Sequence, residues 1–253
     1  MYEIERQDDI LKYLKENKTI SVSKLAQLLY VSEATIRRDL NKLESKGFVT
    51  RTFGGVIINP QSPNKEINFE LRETANQSVK RLLCQKAASL IKDNQTIFID
   101  SSTTLLNIVN YLNNFKNLVI ITNGLFIANE IISLTHHQVI LPGGFVQANT
   151  NSMLGTITIK NLQSFHCDIS IMSSSAIDLE FGLSESTIEQ SQIKQVMIFN
   201  SDVKISLCDE TKFRKKSLYK TCSISELDYF LTNAKLTLEE QNYLDNCGVK
   251  YKI

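Results

Sequence analysis

Two sets of side chains in this sequence have the types and spacing that recognition chemistry needs. The first is the run Asp100-Ser101-Ser102-Thr103-Thr104, which follows the β-prone stretch 96–100 and precedes a helical pattern at 105–112. A strand, a hydroxyl-rich turn and a helix start offer hydroxyls, free backbone N–H groups and the positive end of a helix dipole, which together can cradle a phosphate. The simpler account is a row of caps that serves only its own helix. More small or polar residues follow later β-prone runs: Thr122-Asn123-Gly124, Pro142-Gly143-Gly144, Ser173-Ser174-Ser175, Asp178, and Asp209 with Lys212. The second set lies in SEATIRRDLNKLESKG, residues 32–47. Helical spacing puts Ile36, Leu40 and Leu43 on one face, with Arg38, Asn41 and Lys42 opposite and Arg37 at the flank. Arginine forks match guanine edges and phosphates.

The elements that would hold the second set occupy residues 1–58. Ile4, Ile10, Leu11 and Leu14 form an apolar helical stripe, and Ile20-Ser21-Val22 is a short extended piece. Ser23 is a candidate N-cap for a second helix with inner residues Leu25, Leu28 and Leu29. Val31-Ser32 makes the turn, Ser32 caps the third helix, and Glu33 suits the dipole in its first turn. Gly47 suits the left-handed position beyond the helix end. FVTRTFGGVII, residues 48–58, reads as a hairpin about Gly54-Gly55. Helix, helix, tight turn, helix and hairpin make a winged helix-turn-helix, whose third helix lies in the major groove. Thr35, Arg37 and Arg38 then meet bases or nearby phosphates, and Arg51 on the wing meets the backbone. Ser32, Glu33, Lys42, Gly54 and Gly55 complete the candidate DNA face. Arg37 and Arg38 alone would fit an ordinary solvated helix face equally well; the ordered pattern around them argues for DNA.

Residues 59–75 contain two of the three prolines and no clear periodicity, and read as a linker from which Phe69, Leu71 and Arg72 can dock. From 76 to 253 helical and β-prone runs alternate. Helices are expected near 79–91, 105–112, 125–132, 186–199 and 237–247, and strands near 96–100, 118–122, 138–142, 168–174, 203–209 and 229–233. Strands that are apolar throughout, separated by helices, indicate a mostly parallel, doubly wound α/β sheet covered on both faces. Ligands of such sheets bind beyond the carboxyl ends of the strands, where the small and polar residues of the first set fall.

The bulk composition limits the alternatives. A net charge of +1 leaves any nucleic-acid contact to a local patch. Hydrophobic residues at 42 % and charged residues at 22 % describe a core-forming chain rather than a disordered one. The five cysteines show neither CxxC pairs nor zinc spacing, so reduced thiols and no metal site are expected. The first residues lack an apolar signal core, and no apolar run approaches a membrane span. A cytoplasmic protein is expected, with no membrane partner and no cofactor.

The run VSEATIRRDLNKLESKGFVTRTFGGV, residues 31–56, resembles the signature and Gly-Gly wing of the DeoR family of bacterial regulators, with Phe53 where a histidine commonly stands. The resemblance continues through nearly all of the chain. DSSTT (100–104) is similar to the family's D-S-G-T-T, with Ser102 for glycine; TNG (122–124), LPGG (141–144), Gly155, SSSAID (173–178, with Ala176 for glycine), Lys194 and DETKF (209–213) fall on further family marks.

That resemblance implies a sensor domain similar to ribose-5-phosphate isomerase and an effector that is a phosphorylated sugar or polyol. It implies repression of a catabolic operon by a dimer or tetramer bound to operator DNA, relieved by the effector. It makes Lys194 and Lys212 candidates to neutralise an anion, against plainer readings as a solvated helix lysine and as a partner of Asp209 or Glu210. The effector set is then Asp100, Ser101, Ser102, Thr103, Thr104, Asn123, Gly143, Gly144, Gly155, Asp178, Lys194, Asp209 and Lys212. The competing reading is a sugar-phosphate isomerase carrying a DNA-binding head, with its base among Asp100, Asp178, Glu185 and Glu189. A DNA-reading head is superfluous to an isomerase, and no catalytic constellation is evident, so no enzymatic activity is expected. His136 and His137 read as surface residues without partners.

Overall fold

The computed structural model describes residues 3–17, 19–45, 48–52, 55–58 and 69–252. Gly47, Phe53, Gly54, the 59–68 part of the expected linker and the side chain of Ile4 lie outside the described residues. The chain divides into two compact units, Met1–Ser62 and Pro63–Ile253.

The smaller unit contains α1 (Glu3–Asn17), β1 (Thr19–Ile20), α2 (Val22–Leu28), α3 (Glu33–Ser45), β2 (Val49–Thr52) and β3 (Gly55–Ile58). The strands form one antiparallel sheet in the order β1-β3-β2. Ile10, Leu14, Leu25, Ile36, Leu40 and Leu43 are fully buried, so the helical stripes of the sequence become one core. Arg6 on α1 binds the buried Asp39 of α3 with Nε to Oδ2 at 2.5 Å, which pins the two helices together. Helix α2 begins two residues earlier than expected. Ser21 rather than Ser23 is its cap, because Ser21 is extended and its hydroxyl accepts from the Lys24 N–H at 3.2 Å. Ser32 caps α3 as expected, accepting from the Thr35 N–H at 3.2 Å.

The larger unit begins with α4 (Phe69–Thr74) and α5 (Gln77–Ala88). Then come β4 (Thr96–Ile99), a 3-10 turn (Leu105–Ile108) running into α6 (Val109–Leu112), β5 (Val119–Thr122), α7 (Leu125–Leu134) and β6 (Gln138–Ile140). A hairpin, β7 (Phe145–Gln147) with β8 (Ser152–Leu154), leads to α8 (Thr156–Leu162) and β9 (Cys167–Ser173). Next are β10 (Ala176–Asp178), β11 (Gly182–Glu185), α9 (Ile188–Phe199), β12 (Ser201–Cys208), β13 (Tyr219–Cys222), β14 (Tyr229–Thr232), α10 (Leu238–Asn246) and β15 (Lys250–Lys252). Seven strands pair in parallel in the order β15-β14-β12-β9-β4-β5-β6. Alternation along β4 shows the double covering. Ile97 and Ile99 pack with α5, α6 and α7, whereas Phe98 packs with Leu162, Ile193 and Met197 of α8 and α9. The chain leaves β4 toward β5 and β6, then returns to β9 on the other side. The crevice between the carboxyl ends of β4 and β9 is therefore a topological switch point.

Residues 69–74, within the stretch read as linker, form a helix of the larger unit. Phe69 is buried, stacks on Phe126 of α7 at 5.0 Å between ring centres, and donates its N–H to the Asn149 carbonyl at 2.9 Å. One aromatic anchor in a polar run was too sparse a signal for periodicity to expose. His137 is half-buried rather than solvated, with Nε2 2.9 Å from the Leu112 carbonyl oxygen. Among the described residues, no helix is long and apolar enough to cross a membrane.

Candidate functional site

On the smaller unit, α3 presents Glu33, Ala34, Arg37, Arg38, Asn41, Lys42 and Glu44 to solvent, opposite its buried face. Arg37 pairs with Glu33 one turn earlier at 3.1 Å. Arg38 has no ion pair among the described residues, so its guanidinium keeps all its donors for a partner. Thr35 is half-buried and shares a hydroxyl contact of 2.9 Å with Ser32, so both hydroxyls already serve the start of the helix. Arg51 reaches from β2 back to α3, with Nη2 donating to the Arg37 carbonyl at 2.9 Å and Nε 3.5 Å from Glu44 Oε2. The wing is thus tied to the helix by the side chain expected to meet the DNA backbone. Gly55 has a structural reason for its place: φ is +150°, and a Cβ there would sit 2.4 Å from the Ile20 carbonyl oxygen. Only glycine lets β3 close on β1 at that point.

In the larger unit the switch point is organised by Asp100, which is 1 % exposed. Its Oδ1 accepts from the Ser102 N–H at 2.8 Å and its Oδ2 from the Ser173 N–H at 3.1 Å, so one carboxylate joins the ends of β4 and β9. Lys194 of α9 lies 3.3 Å from the same Oδ2 and 2.8 Å from Oε1 of Glu185 on β11. Glu185 in turn accepts from the Ser175 hydroxyl at 2.6 Å. Burial alone would lower the Lys194 pKa, but Glu185 and then Asp100 outweigh it and hold the ammonium well above its ordinary value. Lys194 is therefore no solvated helix lysine. It is also already compensated by two carboxylates, which leaves it a poor partner for an incoming anion.

Two further cations, Lys212 and Lys80, are held by hydroxyls and carbonyls rather than by a pair of carboxylates. Lys212 is half-buried and donates to the Ser173 hydroxyl at 3.3 Å; among the described residues it forms no ion pair with Asp209 or Glu210. The Asp209 carboxylate is instead taken by the N–H of Thr211, at 3.0 Å, and by its hydroxyl. Lys80 of α5 escaped the sequence reading. It is 3 % exposed and donates to Thr103 Oγ1 at 3.2 Å, to the Glu73 carbonyl at 3.3 Å and to the Arg72 carbonyl. Burial, then the nearby Lys212, lowers its pKa to about 8 against the weaker pull of Asp209. A buried position in an amphipathic helix was the available signal, since Lys80 falls three, four and seven residues before the buried Leu83, Cys84 and Ala87 of α5.

The run 101–104 does not behave as a set of helix caps. Thr104 stands at the N-cap of the 3-10 turn without a side-chain capping bond. Its hydroxyl and that of Ser102 are buried with no hydrogen-bond partner among the described residues, as are Asn123 Oδ1 and Ser174 Oγ. Asn123 donates to Ser101 Oγ at 3.4 Å and to the Met153 carbonyl at 3.2 Å, bringing the end of β5 to the same place. The remaining expected residues stand apart by role. Gly144 has φ +122°, and a Cβ on it would lie 2.1 Å from Thr158 Oγ1, so it packs the chain against α8. Gly143 gives its carbonyl to Thr158 Oγ1 at 2.7 Å, and Gly155 precedes α8. Asp178 closes the β10–β11 turn by accepting from the Phe181 N–H at 2.8 Å, with Lys216 at 3.6 Å.

A winged helix-turn-helix with one exposed basic helix face, joined to a doubly wound α/β unit with a polar switch point, defines a DNA-binding regulator of two parts. The DeoR-like helix-turn-helix domain matches residues 6–62 and the DeoR C terminal sensor domain matches residues 75–234. The chain belongs to the DeoR family of transcriptional regulators. It is 31 % identical over 253 residues to the HTH-type transcriptional regulator GolR of Listeria innocua, covering 100 % of this chain and 99 % of that one. It is 30 % identical over 234 residues to the glycerol-3-phosphate regulon repressor of Escherichia coli K12, covering 92 % of each. Among solved structures, the chain is similar to ribose 5-phosphate isomerase A of Methanocaldococcus jannaschii, at 15 % identity and a TM-score of 0.42 over 56 % of each chain.

Proposed function

We propose that this regulator represses a sugar or polyol catabolic operon from the cytoplasm, as a dimer or tetramer on its operator, and releases the operator when a phosphorylated sugar or polyol binds at the β4–β9 switch point. One observation carries this reading: Ser102, Thr104, Asn123 and Ser174, which follow the carboxyl ends of β4, β5 and β9, each hold a buried polar atom with no hydrogen-bond partner among the described residues. Each such atom costs about 1–3 kcal/mol unless something else bonds to it. Lys212 beside them supplies positive charge, and the 101–104 run supplies hydroxyls of the kind phosphates and polyols bond to. A relative with a glycerol-3-phosphate regulon as its target agrees with that ligand class. The α3 face, with Arg38 at its centre, is the proposed reader of bases, and a second copy compensates for the small basic surface of one head.

The test starts with an operator selected by the full chain from randomised duplexes. Phosphorylated sugars and polyols are then titrated into the complex, and release is followed by fluorescence anisotropy. At least one is expected to lower operator affinity by about 5–150-fold. Lys212→Ala is expected to weaken the response to that compound about tenfold or more, as loss of a charge-assisted contact does. Release by none of them, or conversion of one into an isomeric sugar phosphate seen by NMR, overturns the proposal.

A further inference from the structure

Lys80 makes two kinds of contact at once. Its ammonium donates to Thr103, inside the hydroxyl run, and to the carbonyls of Arg72 and Glu73 at the end of α4. The last carbonyls of a helix have no partner within it, so a cation there both satisfies them and opposes the negative end of the dipole. Helix α4 has six residues and is held also by Phe69 at its first position and, at its end, by Gln77, whose Nε2 donates to the Glu73 carbonyl. So short a helix is marginal without help at its end. It is also the first described element after the DNA-reading head.

The surroundings of Lys80 give this contact a direction. Lys212 acts on it from nearby, and both amines bond to hydroxyls at the ends of β4 and β9: Thr103 and Ser173. Two ammonium groups beside one polar space repel each other; the pull of Asp209 offsets this only in part, and an entering anion relieves the rest. A phosphate there gives Lys80 a stronger acceptor than a neutral carbonyl, because charge-assisted hydrogen bonds are roughly twice as strong as neutral ones.

We infer that Lys80 is an unassigned effector ligand and the link from the effector site to α4: an anion bound at the switch point draws the Lys80 ammonium away from the Arg72 and Glu73 carbonyls and loosens α4. The inference rests on the anion site proposed above and adds the route by which occupancy leaves it. It requires no new global state, only competition between two acceptors for one donor. Thr103 is the pivot, because it lies on the site and already holds the amine. Lys194 cannot play this part, being saturated by Asp100 and Glu185.

Hydrogen exchange of the full chain, with and without millimolar inorganic phosphate at matched ionic strength, tests this. Phosphate is expected to slow exchange in residues 100–105 and to speed it in residues 73–77 by about threefold or more, as loss of a local cap does. In Lys80→Met the 73–77 amides are expected to exchange fast without phosphate and to gain nothing from it, with phosphate bound about tenfold more weakly. Lys80→Arg keeps the charge and is expected to restore most of the native affinity. Thr103→Val, which leaves the carbonyl contacts intact, guards against a misfolded Lys80 variant: it is expected to keep α4 protected and to blunt the phosphate effect. Slowing in 100–105 with no change in 73–77 would overturn the link while leaving the anion site standing. No change in either segment would overturn the site and the link together.

Discussion

On α3 of the head, Arg37 and Arg38 are exposed and Arg37 is held by a single surface ion pair, whereas Lys80 and Lys194 of the α/β unit are 3 % and 4 % exposed and held by three and two oxygen acceptors. The same residue chemistry is therefore used in two ways. The head leaves its cations in water, where they cost little and wait for a polyanion. The α/β unit removes Lys80 and Lys194 from water, where each must be compensated. The lesson is that substitution should separate recognition from stability in the head and fuse them in the α/β unit.

The largest effect is expected at Lys194. Replacing it by methionine leaves Asp100 and Glu185 facing each other with no cation between them, and unpairing buried charge costs about 3–5 kcal/mol. Urea unfolding should show that loss in the transition of the α/β unit. A loss under about 1 kcal/mol, the size of a surface pair, would put Lys194 in the same class as Arg37 and break the comparison. Next comes the one place where the head uses the other strategy. Asp39→Ala removes the partner of Arg6 between α1 and α3, where the two side chains are only 2 % and 11 % exposed. About 2–4 kcal/mol of head stability should go with it, measured as an earlier loss of its helical signal.

The Arg6–Asp39 and Lys194 cases also show what the sequence made legible. On α3, Ile36, Leu40 and Leu43 declared the buried face by spacing alone, and the exposed arginines followed as its complement, because helix periodicity fixes both faces at once. Six of the seven strands of the parallel sheet were legible in the same way from apolar strand runs; the edge strand β15 was not. The short antiparallel pieces, β7–β8 and β10–β11–β13, were not, since three- and four-residue strands carry too little alternation to stand out. The candidate site was half legible. Asp100–Thr104 and Ser173–Ser175 follow the ends of strands, which the pattern locates. That Lys194 faces two carboxylates, and that Lys80 reaches Thr103, depends on packing between segments 94 and 23 residues apart in sequence. No local pattern encodes that. Asp39 drew no reading of its own from the sequence, and its buried partner lies 33 residues earlier.

Arg38→Ala sharpens the contrast from the other side. It should weaken binding to the selected operator by about 1–3 kcal/mol, the worth of one good base contact, and change the unfolding free energy by under about 0.5 kcal/mol. Loss of stability comparable to loss of affinity would mean that the exposed face of α3 is structural after all.

The smallest effect is read in the pH dependence of stability, and it turns on Lys80. Burial and Lys212 hold its pKa at about 8, while in the unfolded chain it returns to the ordinary lysine value of about 10.4. Between those values the unfolded chain binds more protons, so this residue makes stability rise with pH across that window; below the lower value both states are protonated and the slope vanishes. The buried thiols Cys84 and Cys208 act in the opposite sense. Burial raises their pKa values, so above about pH 8.5 the unfolded chain loses protons that the folded chain keeps, and stability falls. The raw profile therefore mixes both signs. Subtracting the profile of Lys80→Met cancels the thiols and leaves the lysine, which should appear as a rise on the order of 1 kcal/mol between pH 8 and 10 in urea midpoints. A flat difference would mean that Lys80 is as well hydrated as Arg38, and the contrast between exposed and buried cations would fail at that residue.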